Sequence, residues 1–301
     1  MGITAGTGLI AALSDDVDRL TTAEPDVRAD AEDSVHQMRV ATRRLRSVLR
    51  SYKTLLRREP VAAATAELKW LADLLGVARD AEVRADRFAA LLASRSPEDI
   101  SPDALAAATA RLVAAERARY DAAHADVLAA LDTERYRTLH DLLIQWRTAP
   151  PLRSSRAATP AAELFGFVLH RDQERVESLI RAEPTVSPAD RVELLHDIRK
   201  SAKRLRYSCE AAEQVLGAAA TELGSRAKRL QTILGDHRDA VESREAILER
   251  AAGAEAAGES TAIYQHLAAA EQSAADRELD RYPAAARAVS SKRPRQLVSD
   301  P

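Results

Sequence analysis

The sequence predicts an all-α fold, and three observations carry that prediction. Hydrophobic residues make up 46% of the chain but aromatics only 4%, with alanine and leucine dominant, and Ala, Leu, Arg and Glu lose little on entering a helix. Clusters of β-branched residues, the usual mark of sheets, are sparse. Segments of helical period (103–131, 133–147, 161–182, 188–216, 219–234 and 259–281) run between proline-marked breaks.

Taken in order, the chain opens on Gly2 to Leu13, a mildly apolar stretch with no basic leader and with Asp15, Asp16 and Asp18 directly behind it. That is a poor secretion signal. Residue 6 is Gly6, which lacks the hydroxyl of a myristoylation signal. A break is expected at Glu24-Pro25. Next comes a basic stretch: from His36 to Arg58 there are eight Lys/Arg and no acid, whereas Glu24 to Asp33 holds five acids and one arginine. Net charge is only −2, so positive charge is concentrated, not abundant.

Further breaks are expected at Glu59-Pro60, Ser96-Pro97, Ser101-Pro102, Glu183-Pro184 and Ser187-Pro188. Gly76 and Gly235 are expected to end helices and reverse the chain. Ser187, Pro188 and Asp190 form a helix start: a cap, a first-turn proline and an acid against the dipole. Trp70 and Trp146 are expected in the core. No run of about 18 apolar residues occurs, so no membrane span is expected. The single cysteine, Cys209, excludes an internal disulfide and fits the reducing cytoplasm.

The chain is internally duplicated. VHQMRVATRRLR (35–46) matches LHDIRKSAKRLR (195–206), and LADLLGVARD (71–80) matches LQTILGDHRD (230–239) in the same order. Thr148 to Pro160, with three prolines and several small polar residues, reads as a linker over 149–159. It joins a first helical repeat, 5–148, to a second, 160–285. Residues 286–301 read as a flexible tail.

On a helix of about 100° per residue, His36, Arg39, Arg43, Arg46 and Arg50 fall within an arc of roughly 80°. Met38, Ala41, Leu45, Val48, Leu49 and Tyr52 lie opposite. The second copy sets His196, Arg199, Lys203 and Arg206 against Ile198, Ala202, Leu205, Cys209 and Ala212. Like charges one turn apart repel, so each row needs acids from a neighbouring helix or from a ligand. Arginine makes bidentate bonds to phosphate oxygens and lysine acts as a point charge. An even row of both suits a repeating anion better than a compact one. Arg79 and Arg238, in the second repeated block, and Lys69 and Lys228, two residues before it, are placed to complete the lining. Asp80 and Asp239 read as helix caps or partners of the stripe. The remaining histidines have no repeat partner.

At these motifs, VHQMRVATRRLRS with LLGVARD and LHDIRKSAKRLRY with ILGDHRD, the sequence resembles the CHAD family, the conserved histidine α-helical domain, over about residues 5–285. The resemblance implies two four-helix bundles related by pseudo-twofold symmetry. They would enclose a basic central groove that binds inorganic polyphosphate, in proteins often associated with polyphosphate granules. Carried over by position, the ligands are His36, Arg39, Arg43, Arg46, Lys69, Arg79, His196, Arg199, Lys203, Arg206, Lys228 and Arg238, with Arg50 and Arg204 as secondary candidates. Many members carry a fused triphosphatase domain with a Glu-x-Glu-x-Lys signature, and this sequence contains no Glu-x-Glu pair. The expected protein is therefore a non-enzymatic binder without cofactor or metal.

Three other readings compete. A metal-dependent triphosphatase or phosphatase wants carboxylates opposite the cations, and the only close Asp-x-Asp pair, Asp16 and Asp18, lies outside both repeated blocks. A single-strand nucleic-acid binder wants stacking aromatics, of which the stripes have only Tyr207 nearby. The remaining reading is a scaffold whose basic groove docks an acidic protein.

Overall fold

A computed structural model of the protein describes residues 2–94 and 101–290. Its helices are α1 (Ala5–Arg28), α2 (Ser34–Ser51), α3 (Arg58–Ala93), α4 (Pro102–Thr109), α5 (Ala115–Leu131), α6 (Glu134–Trp146), α7 (Ser154–Ala157), α8 (Ala161–Ala182), α9 (Pro188–Leu216), α10 (Ala218–Ala256) and α11 (Ala262–Ser290). A π-helical turn at Ala110–Ala114 joins α4 to α5. Two isolated bridges, Thr4 with Pro160 and Leu56 with Leu152, are the only β-type pairing among the described residues. The fold is all-α, as the composition dictates.

Helix starts follow the sequence closely. Ser187 accepts a hydrogen bond from the Asp190 amide at 3.3 Å, and Ser101 caps α4 ahead of Pro102 in the same way. α9 stops at Leu216 because Gly217 takes φ +55°, which favours glycine, and returns its amide to the Glu213 carbonyl.

Several expected breaks are absent. Gly76 and Gly235 lie buried inside α3 and α10, which run through them for 36 and 39 residues. One glycine costs a helix about 1 kcal/mol, and the buried run Ala78, Ala81, Ala85, Phe88 beyond Gly76 outweighs that. Asp80 and Asp239 are therefore mid-helix residues and not caps. Pro25 sits inside the last turns of α1, where a missing amide removes one bond to Thr21 near an end that frays anyway. The linker is pinned, not loose: Pro150 and Pro151 are buried, the Arg57 amide bonds the Pro151 carbonyl and the Arg153 amide bonds that of Leu55, each at 2.8 Å. α11 continues to Ser290 with Val289 fully buried, so residues 286–290 are helical. The expected tail beyond them, with Lys292, Arg293 and Arg295, and the Ser96-Pro97 break lie outside the described residues.

The chain packs as two compact units, each drawing on both sequence repeats. The first takes residues up to Asp73, Ala130–Leu234 and those from Tyr282 on; the second takes Leu74–Ala129 and Gly235–Arg281. In the first, α1 packs on α2, α8 on α9, and α2 on α9. Its core includes Leu9, Leu13, Leu20, Met38, Leu45, Phe165, Ile198 and Leu205, all at most 1% exposed. A Cβ on Gly8 would meet Phe165 at 3.2 Å and Val215 at 3.1 Å, so that glycine lets α1 lie close against its neighbours. The apolar faces read from the sequence on α2 and α9 are the buried ones, residue for residue.

The second unit has a smaller, alanine-rich core around Phe88, Leu112, Ile247, Tyr264 and Leu267. Ion pairs tie its helices together. Glu271, 1% exposed, takes both Arg87 nitrogens at 2.5 Å, and Glu116, equally buried, faces Arg84 and Arg250.

Candidate cation-lined functional site

The site is built on α2 and α9 of the first unit. Since each helix buries its apolar face, the rows opposite are held at the margin of the core. His36, Arg39, Arg43, Arg46, His196, Arg199, Lys203 and Arg206 are all half-buried. The rows converge on Lys203. Its ammonium is pushed down to about 6, first by burial and then by Arg43, Arg199, Arg39 and Arg206. Arg39 and Arg43 come from α2 while Arg199 and Arg206 come from α9, so cations of both repeats act on one spot. The Nε atoms of Arg46 and Arg199 are buried with no hydrogen-bond partner from the protein.

Part of the charge is met internally. Glu210 on α9 accepts from Arg206 Nε at 2.7 Å and also pairs with Arg44 of α2. Arg44 and Arg206 both lie over the Tyr207 ring, 5.8 and 5.1 Å from its centroid, close enough for a cation–π contribution. Beneath the rows are two buried carboxylates. Asp16, 2% exposed, accepts from Arg44 Nε at 2.7 Å. Asp172, fully buried, accepts from Ser51, Ser208 and Arg171 and faces Arg204 at 3.1 Å. Each is the twelfth residue of its helix, α1 and α8, and each holds the arginine at the matching position of the next helix pair, Arg44 or Arg204. Arg204 is thus a core anchor and not part of the row. Asp16 is committed to Arg44, and Asp18 to Arg147 at 2.8 Å, so that Asp-x-Asp pair already has cationic partners.

The other expected ligands divide. Lys69 stands exposed on α3, paired with Asp73 at 2.6 Å, and lines a cleft with Arg46 and Arg50. Lys228 is exposed on α10, one turn from Gln231, which accepts from Arg206 at 3.2 Å. Arg79 and Arg238 belong to the second unit, where they bond Glu82 at 2.8 Å and Glu242 at 2.5 Å. Trp146 is 4% exposed and in the core as expected. Trp70 is not: it is half-buried, with the Arg135 guanidinium 4.1 Å above its ring.

Sequence reading missed Asp16, Asp172 and Arg44 as a matched set. The two aspartates share a position counted from the start of their helices, but α1 and α8 share no sequence motif that would reveal it. Among the described residues no group of three or more His, Cys, Asp or Glu is placed to hold a metal ion, and no helix is long and apolar enough to cross a membrane.

The lowered ammonium of Lys203 gives a stability prediction. Below about pH 6 the charge is present in the folded state and its cost is fully felt. The cost declines as pH rises towards the unfolded lysine value of about 10.4. Lys203→Met is expected to raise the thermal midpoint most at pH 6 and hardly at all near pH 10. A shift of equal size at both pH values would show that the ammonium is not strained.

A model of the CHAD domain matches residues 11–248. The uncharacterised protein Rv2226 of Mycobacterium tuberculosis strain H37Rv is 38% identical over 281 residues, 92% of this chain, and MT2285 of strain CDC 1551 matches equally. The chain spans about half the length of these relatives, 52%. Among solved structures, PptA from Streptomyces chartreusis superposes with a TM-score of 0.75 at 19% identity, covering 94% of this chain and 99% of its own. The CHAD domain of the plant Ricinus communis does so with a TM-score of 0.66 at 24% identity, covering 97% and 93%. The matched stretch holds both histidine-led motifs and both buried aspartates, and the chain belongs to the CHAD domain family.

Proposed function

We propose that this chain binds inorganic polyphosphate without hydrolysing it, along the cation rows of α2 and α9, and that it works in the cytoplasm in association with polyphosphate granules. The observation that supports this most is the convergence of Arg39, Arg43, Arg199 and Arg206 on Lys203. Four guanidinium groups gathered around one lysine at the edge of a core repel one another and hold that lysine's charge off, and a chain carrying regular negative charge relieves that repulsion along its whole length. A single small anion relieves it at one point only. Arg79 and Arg238 enter the ligand set on family grounds, and they would exchange Glu82 and Glu242 for phosphate. Membership of the CHAD family supports the choice of ligand.

Calorimetric titration of the full chain with long-chain polyphosphate at moderate salt tests the proposal. Saturable binding is expected, weakening steeply as salt rises because counterions condensed on the polyanion are released. Binding at pH 7.5 is also expected to take up a proton at Lys203, so the measured heat will change with the ionisation enthalpy of the buffer. Absence of saturable heat would rule the proposal out, and duplex DNA competing on equal terms would redirect it to nucleic acid.

A further inference from the structure

The α2 row does not end where the family motif ends. Beyond Arg39, Arg43 and Arg46, cations follow at Arg50 in α2, at Lys53 in the 3-10 turn after it and at Arg57 past extended Leu56. The last three are exposed, and with Arg46 they line a cleft of about 790 Å³ between the end of α2 and the start of α3. Arg58, Lys69 and Arg153 complete its rim, and its floor is apolar, formed by Leu49, Leu56 and Val61. No acid lines this cleft. Lys69 has its Asp73, but among the described residues no ion pair is found for Arg50, Lys53, Arg57, Arg58 or Arg153. Elsewhere arginines are mostly matched, in the second unit by Glu116, Glu259 and Glu271 for example. Five such cations stand together here, and burial together with Arg50 lowers the guanidinium of Arg46 where row and cleft meet.

The second repeat has lost this feature. At the positions of Arg50, Lys53 and Arg57 it carries Glu210, Glu213 and Gly217. Glu210 is engaged by Arg44 and Arg206. The α9 row therefore ends on carboxylates, and the α2 row continues into an open basic cleft.

Resting on the polyphosphate reading above, we infer that the α2–α3 cleft is a second binding segment for the phosphate chain, adjoining the rows at Arg46. An acid-free wall of spaced guanidinium groups suits successive phosphates. The apolar floor limits hydration of the bound stretch and strengthens each contact. At the corresponding end of α9 Glu210 already occupies two of the guanidinium groups, and exposed Glu213 adds negative charge. The site is then longer than the motif-borne rows.

The test compares the intact chain with a cleft variant, K53Q/R57Q/R153Q, and with a control, R137Q/R181Q/R281Q, that removes equal charge elsewhere. All six positions are exposed, and circular dichroism checks that both variants fold. The expected result with long-chain polyphosphate is about a tenfold or greater loss of affinity for the cleft variant. Its salt dependence should also be shallower by roughly one unit of slope for each lost contact, while the control stays within about twofold of the intact chain. If the intact chain binds and the cleft variant binds equally well, or if the control loses as much, the cleft is not a segment of the site and the rows stand alone. If the intact chain does not bind at all, the polyphosphate reading itself has failed.

Discussion

Replacing Arg39 and Arg199 together by glutamate is expected to weaken polyphosphate binding by roughly 100-fold or more at moderate salt, with helicity unchanged. Each arginine is half-buried on the row side of its helix, away from the apolar face, so the exchange leaves the packing of α2 and α9 alone. A charge-assisted hydrogen bond contributes about 1.5–3 kcal/mol, and every 1.4 kcal/mol is about tenfold in affinity. Losing one such contact from each row therefore reaches 100-fold before the new repulsion is counted. The single variants should each show part of the loss, because both arginines act on the same Lys203. Calorimetry on the folded double variant decides it. Retention of affinity within a few-fold would mean that the rows are a solvated surface and not a binding site.

The largest expected effect on stability comes from Asp172→Ala. This carboxylate is fully buried and serves Ser51, Ser208, Arg171 and Arg204 at once. Its removal leaves two hydroxyls and two guanidinium groups short of an acceptor at the centre of the first unit. Breaking a buried pair in this way costs about 3–5 kcal/mol. Asp16→Ala is expected to cost less, since Arg44 keeps Glu210. Trp70 and Trp146 both belong to the first unit, so urea unfolding followed by tryptophan fluorescence reports on the affected part of the molecule. Equal midpoints for Asp172→Ala and the unaltered chain would show that the network contributes nothing net.

The parts legible in the sequence are those that local chemistry fixes. The two rows and their apolar faces follow from a period of 3.6 residues, and every residue assigned to the buried face of α2 and α9 is buried. Ser187 caps as read because an N-cap is settled within four residues. Legibility failed where tertiary packing overrides local preference. Gly76, Gly235 and Pro25 are breakers by propensity, yet long helices with buried faces pass through all three. Trp70 was assigned to the core by hydrophobicity alone, and Arg135 gives it a half-exposed alternative. Part of the cleft was invisible for another reason. Arg153 joins Lys53 and Arg57 only because the linker is pinned to Leu55 and to Arg57 itself, a contact spanning about a hundred residues that no local pattern encodes.

Glu210 carries a lesson about how such a chain is organised. Duplicated sequences begin identical, and two separate half-length copies assembled as a homodimer must present the same residue at both equivalent places. Here one place holds Arg50, facing the cleft, and the other holds Glu210, gripping an arginine from each repeat. No homodimer can offer that combination. Within one chain the two matching positions differ, one supplying the clasp and the other the open end.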